Sequence, residues 1–483
     1  MKLESSSKAG AIPVPQSPRA PKQQAKKHQQ TKSVCLVSGD LKTLFIKLSV
    51  PMMIGMLLNG LYSLVDAYFI SSFIGDAAFA GVSSIFPLQM ALIAIAICIG
   101  NGSSVLISNQ FGANNLAAIK RIFNNTLVLI LSISLLVLIA SFNLSIESFI
   151  PVSSSNPDSD ATLVHAMDYF FIIVSGYIFL LLLSLLSDYL RAISNMKGLL
   201  LIILMGALSN VVLDYLLIVV FNLGTSGAAL ATVIAQLSGV ITGVLIVAKS
   251  SAPLRLSKIG IELNLTIVKE ILVTGSPALI TTLGAAMVMA TVNMNIINYN
   301  SINPEVWIGA YGITVRINIL LLLPLMAISN ASQTIIAQNF GANNIERVQS
   351  CLRIGITTAI TYLFFITLIL ILFSANILDT LGIGENQAKY AEKIFAIMFI
   401  LLPVSGVTTV GIAYLQAVKK APLAIALTFS QIYLLLIPLL LLIPPSLDVN
   451  QIWYAYPATQ IVMASVSILI LWNQNNNFRQ LRT

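Results

Sequence analysis

Charge is what this sequence has least of. Asp, Glu, Lys and Arg together make up 9% of 483 residues, where a soluble domain carries about 25%. Hydrophobic residues make up 57%. So little charge cannot cover a water-soluble body, so the chain reads as a polytopic membrane protein. Histidine is nearly missing. His28 and His165 stand far apart, which excludes a His-based catalytic or zinc constellation. Cys35, Cys98 and Cys351 are too few and too scattered for a disulfide framework or a metal site. No G-x-x-x-x-G-K-[ST] loop occurs, so the chain does not hydrolyse ATP by itself. No nucleophile, metal cluster or base pair stands at a plausible spacing, which argues against an enzyme. No cofactor and no nucleic-acid partner is called for.

Long apolar runs are what the sequence has instead. About 20 apolar residues cross a bilayer as a helix. Twelve windows qualify: 44–72, 80–108, 119–146, 166–192, 197–221, 227–249, 267–299, 306–336, 349–375, 390–417, 421–443 and 451–473. The expected fold is all-α, with twelve transmembrane helices in two six-helix lobes. Residues 1–43 read as a disordered basic tail, since 1–32 hold seven Lys/Arg against one acid, Glu4. The tail has no apolar signal-peptide core. The N-lobe is 44–249, a linker runs over 250–266, the C-lobe is 267–473, and 474–483 form the C-terminus. With both termini cytoplasmic, all but three of the 26 Lys and Arg fall in or next to inside segments. The three are Lys389, Lys393 and Arg316. The positive-inside rule is therefore met, and a bacterial inner membrane is the expected site.

The two lobes are legible as a repeat. FGANN at 111–115 returns at 340–344, displaced by 229 residues. SVPMMIGMLL (49–58) resembles GSPALITTLG (275–284), and YLRAIS (189–194) resembles YLQAVK (414–419). An even number of spans per half gives a parallel repeat about an axis along the membrane normal. Gly112 and Gly341 fit helix C-caps, with the asparagines suiting the turn. A role in closing the cytoplasmic side is the alternative reading.

Few charges lie inside the apolar windows, so each can be named. Asp66 interrupts LYSLVDAYFIS in the first span. An ionised carboxylate at mid-membrane costs roughly 2.5–3.5 kcal/mol. Asn210 and Asp214, four apart in the fifth span, share one helix face. Thr232 lies near the outer end of the sixth. The topology puts all four at similar depth, in the outer half of the N-lobe. Two carboxylates, an amide and a hydroxyl can hold a cation; sodium is possible there. Two acids buried together disfavour two negative charges at once, which suits a proton carrier. Interhelical hydrogen bonding is the plainer alternative. Asp188 and Arg191 read as an i, i+3 structural pair. Arg316 stands a third of the way into the eighth span without an acid at its depth. It reads as structural or as part of a substrate cleft. Met287, with Met289, Met294 and Asn293, offers adaptable lining for the same cleft, or ordinary packing.

Taken together, this pattern resembles the multidrug and toxic-compound extrusion (MATE) family, in its bacterial branch. The resemblance rests on SVPMMIGMLLNGLYSLVDAYFIS, GVSSIFPLQMAL, the twin FGANN loops, YLRAISNMK, NVVLDYLLI and GTSGAALATVIAQ, in that order. It implies two six-helix lobes around a central cleft and export of drugs in exchange for protons or sodium. It implies a cation-coupling role for Asp66, Asn210, Asp214 and Thr232. It also implies that Pro51, fifteen residues before the acid, acts as a hinge in the first span. One departure stands out. Other branches carry functional acids in spans seven and ten; here those spans hold acids only at their ends, Glu270 and Glu392. Coupling would then rest on the N-lobe alone.

The resulting expectation is a multidrug efflux antiporter, proton-coupled or else sodium-coupled, working by alternating access. Its partners would be drug-like small molecules and membrane lipids, and nothing requires more than a monomer. Antibiotic resistance would follow from such an activity. A lipid-linked oligosaccharide flippase is the first alternative, though it would call for a cationic cleft. A channel or non-transporting receptor is the second.

Overall fold

In the computed structural model the described residues are 36–143, 159–249, 260, 263–299, 304–380, 384–442 and 449–480. Most of the basic tail and most of the linker lie outside them. Among the described residues ten helices are long and apolar enough to cross a membrane, or up to twelve if each of two bent pairs is one span. The spans are α1 (Leu41–Ile74), α2 (Phe86–Gly112), α3 (Leu116–Asn143), α4 (Ala161–Ser175 with Tyr177–Ala192), α5 (Met196–Val220) and α6 (Gly224–Lys249). The second half gives α7 (Leu265–Asn298), α8 (Pro304–Gly341), α9 (Ile345–Leu372), α10 (Gln387–Met398 with Leu402–Ala417), α11 (Ala421–Leu442) and α12 (Gln451–Gln474). The two bent spans occupy the same place in each half, α4 at 50° and α10 at 57°. Each of the twelve expected windows overlaps one of these spans.

The helix starts follow from capping. Asp40 accepts from the Thr43 amide at 2.9 Å and from its hydroxyl at 2.7 Å, which opens α1. Those bonds hold the exposed Asp40 carboxyl below the usual carboxylate range. The short stretch before α1 is tied to the other half of the chain. Arg347 on α9 donates to the carbonyls of Gly39 (2.9 Å) and Leu36 (3.2 Å), and Leu36 is fully buried.

FGANN has a residue-by-residue explanation, and it corrects the C-cap reading of its glycines. Asn114 and Asn343 take the left-handed conformation, with φ of 57° and 58°, which Asn tolerates better than most residues. Asn115 then accepts from the Ala118 amide at 3.2 Å, and Asn344 from the Arg347 amide at 3.3 Å, so each starts the next helix. Gly112 and Gly341 remain inside the last helical turns. They are glycine because α2 and α8 cross there. A Cβ on Gly112 would sit 1.9 Å from the Gln338 carbonyl oxygen, and one on Gly341 would sit 1.9 Å from that of Asn109.

That crossing is one end of a longer seal between the halves. Asn109 donates to the Ala417 carbonyl at 3.1 Å. Its repeat mate Gln338 donates to the Ala192 carbonyl at 2.7 Å. Further along α2, Gly102 lies against the Ile271 carbonyl and Gly275 against that of Cys98. From Cys98 to Gly112 is about 21 Å of helix. The halves are thus joined at the FGANN end of the bundle.

Candidate functional site

Three helices of the first half, α1, α5 and α6, carry the predicted polar residues. Asp214 is fully buried and Asn210 nearly so. Asp66 lies within electrostatic range of Asp214. Between the elements stands Tyr169 of α4, itself buried. Its hydroxyl lies close to the side chains of Gln89 and Thr232 and in the field of both Asp66 and Asp214. So the structure brings Asp66, Asn210, Asp214 and Thr232 into one region, and adds Tyr169 and Gln89. Sequence reasoning missed both, because a Tyr or a Gln in an apolar helix carries no signal of its own.

The carboxylates have little protein around them to bond. Asp66 Oδ1, both oxygens of Asp214 and both amide atoms of Asn210 are buried without a hydrogen-bond partner among the described residues. A buried, unpaired, ionised carboxylate is costly. The donor set fits two solutions: protons on the carboxyls, or a hard cation held by oxygens. Each acid is also followed by a widened helical turn. A π-helix runs over Ile70–Ile74 after Asp66 and over Tyr215–Val220 directly after Asp214. Such turns often sit at functional positions in helices.

Beside this cluster is a cavity of about 460 Å³. Its walls come mainly from α1, α2, α4, α5 and α6, with Ala278 of α7 and Leu323, Met326 and Asn330 of α8. Asn210 and Thr232 line it, so cavity and acid cluster share a wall. Its methionines are Met52, Met56 and Met326. Asp188 and Arg191, read from sequence as a structural pair, also line it. They are ion-paired at 2.5 Å.

Arg316, Met287 and Asn293 do not line this cavity. Arg316 is exposed and Met287 is 49% exposed. The second half contributes only a narrow strip of wall, from other turns of α7 and α8. Pro51 lies inside α1, next to the cavity residue Met52, and the helix runs on through it.

The second half lacks the acid cluster. YLRAIS and YLQAVK are 225 residues apart; the same displacement carries Asn210 and Asp214 onto Leu435 and Leu439, and Tyr169 onto Ile394. The polar cluster is a specialisation of one lobe.

A twofold-repeated helical bundle, sealed at one end and holding a buried acid cluster beside a cavity, defines a membrane transporter rather than an enzyme. The MatE family model matches the chain twice, over residues 51–216 and 277–442. The chain belongs to the MatE family. It is 25% identical over 437 residues to the "Probable multidrug resistance protein YoeA" of Bacillus subtilis, covering 88% of this chain and 91% of that protein. It is 24% identical over 439 residues to the "FAD transporter" of Shewanella oneidensis, covering 89% and 94%. Among solved structures it matches an outward-facing multidrug resistance MATE family transporter with a TM-score of 0.84 at 21% identity, over 94% of this chain and all of that one. A transporter from Pyrococcus furiosus matches with a TM-score of 0.83 at 21% identity, covering 93% and 98%.

Proposed function

We propose that this protein exports lipophilic or cationic small molecules from a bacterial cytoplasm in exchange for protons, by alternating access. The observation that carries the reading is the shared wall. Asn210 and Thr232 border both the cavity and the acid cluster, so loading the acids alters the surface that a cargo meets. The FGANN end is the cytoplasmic end by the positive-inside rule. A seal there makes this the outward-facing state, with both termini inside.

Asp66 and Asp214 take up protons from outside. Loading removes their charge, repacks the outer half of α1, and weakens cargo binding. A ligand shifts the equilibrium only by its differential affinity for the two states. One proton in for one monovalent cation out is electrically neutral. Two protons would add a voltage term of about 2.3 kcal/mol per 100 mV, which gives the second acid a physical purpose. Sodium is the alternative coupling ion, held by the same oxygens. Export of a nucleotide such as FAD fits less well, because the charged residues lining the cavity are one acid and one base.

The test is efflux of ethidium from cells or inverted vesicles with a pH gradient and a sodium gradient imposed separately. Proton coupling predicts efflux under the pH gradient alone. Efflux under sodium alone transfers the site to sodium. No efflux under either moves the reading to a flippase. Asp66→Asn should keep the fold and abolish gradient-driven efflux; full transport by that variant would remove Asp66 from the mechanism.

A further inference from the structure

The coupling acids do not line the cavity, and that leaves one question about its cargo. A cation resting there is stabilised most by an anionic partner. Among the described residues that line the cavity, Asp188 is the acid. We propose that Asp188 is the anchor for the cationic group of the cargo, held in place by Arg191; this deepens, and rests on, the cationic cargo class proposed above.

Asp188 is placed with care. Gly100 of α2 leaves a notch for it: an added Cβ there would sit 2.0 Å from Asp188 Oδ2. The Ser184 hydroxyl lies 3.3 Å from the same oxygen and 3.1 Å from the Ala96 carbonyl, which share its one proton, and Ser104 donates to the Asp188 backbone carbonyl at 2.9 Å. Arg191 takes the other carboxylate oxygen. The Asp188 side chain keeps 19% of its surface open, against 7% for Arg191. An ionised carboxylate offers about four acceptor positions, so these contacts leave room for a cargo cation. An ion pair this deep is poor value as a stabiliser. Desolvation offsets much of its attraction, and an apolar pair often does as well.

Arg191 also reaches the other half of the molecule. Its Nη1 donates to Gln333 Oε1 of α8 at 3.5 Å. Gln333 donates to Gln416 of α10 at 2.8 Å, and Gln416 to the Thr274 carbonyl of α7 at 2.7 Å. A cation that draws on Asp188 weakens the hold on Arg191. The first bond of this chain is therefore sensitive to occupancy, and the chain ends beside the seal. Asp188 binds; Arg191 positions it and carries the news across.

Tetraphenylphosphonium and tetraphenylborate have one shape and opposite charge, so they isolate the sign of the anchor. Their binding to the full-length protein in lipid nanodiscs is measured by titration at fixed pH without any gradient, against empty nanodiscs. Asp188→Asn should weaken tetraphenylphosphonium at least tenfold and strengthen tetraphenylborate, because Arg191 is then unpaired. Asp188→Glu should retain the cation. The double variant Asp188→Asn/Arg191→Gln buries no lone charge and protects the test from misfolding; it should lose the cation without gaining the anion. Cation binding within twofold of wild type in either neutralised variant overturns the proposal and leaves the transport reading standing. A wild type that binds no tetraphenylphosphonium overturns the cationic cargo class and the anchor with it.

Discussion

At the residue scale the question is what each buried polar group does for its neighbours. Tyr169 gives the sharpest case. Its hydroxyl lies close to Gln89 and Thr232 in the field of two carboxylates. A neutral hydrogen bond contributes only about 1 kcal/mol net to stability. Tyr169→Phe should therefore express and melt close to wild type. If the hydroxyl tunes the acid cluster, the same variant slows gradient-driven efflux and shifts its pH profile, while tetraphenylphosphonium binding without a gradient stays put. Parallel assays of melting, binding and efflux separate the two roles; an unmoved pH profile makes Tyr169 packing. What the sequence could reveal follows the same logic. Asp66 and Asp214 are visible because charge in an apolar run is rare. Asn210 and Thr232 become visible only by their spacing to an acid. Tyr169 and Gln89 are chemically ordinary in a helix, and only the folded neighbourhood gives them a role. Arg316 shows the converse: rarity made it conspicuous, yet it is exposed and lies away from this cavity.

At the element scale the helices are set by apolar length and the turns by a few special residues. Span count and order were legible because a membrane needs about 20 apolar residues each time. The bends in α4 and α10 were not, although each break has a punctuating residue: one falls at Gly176, the other over Phe399–Leu401 just before Pro403. A lone Gly or Pro does not settle the matter, since Pro51 sits inside α1 and that helix runs on. FGANN was legible as a turn but not as a crossing, because the partner of Gly112 is 226 residues away at Gln338. Gly112→Ala tests that crossing. Within a helix, Ala is favoured over Gly by roughly 0.5–1 kcal/mol. Against that stands a Cβ 1.9 Å from a backbone oxygen of the other half. Backbone cannot rotate aside as a side chain can, and overpacking costs about 1–3 kcal/mol or more. The contact term wins, so the variant should lose population of the sealed state while its helix stays intact. Spin labels across the FGANN loops should report a longer distance in Gly112→Ala, and likewise in Gly341→Ala. An unchanged distance in both would mean the crossing absorbs the methyl.

At the scale of the whole molecule, alternating access requires the FGANN end to part, and the chain carries its own reporter. Cys98 lies in the seal, 4% exposed, with its sulfur 3.8 Å from the Leu272 carbonyl of the other half. Cys351 is buried too, but its contact at 3.9 Å is with Ser332, within one half. Rigid-body parting of the halves therefore uncovers Cys98 and leaves Cys351 covered. A thiol reacts through its thiolate, which needs water, so the sealed state protects both. With Cys35 replaced by Ser, N-ethylmaleimide should modify Cys98 slowly at rest. Tetraphenylphosphonium on the cytoplasmic side under a pH gradient should speed that modification at least tenfold, and Gly112→Ala should speed it without cargo. Site-resolved mass spectrometry reads both cysteines in one sample. If Cys351 rises in step with Cys98, the protein is loosening rather than rocking. If Cys98 never responds during turnover, the seal along α2 stays closed and cargo takes another route.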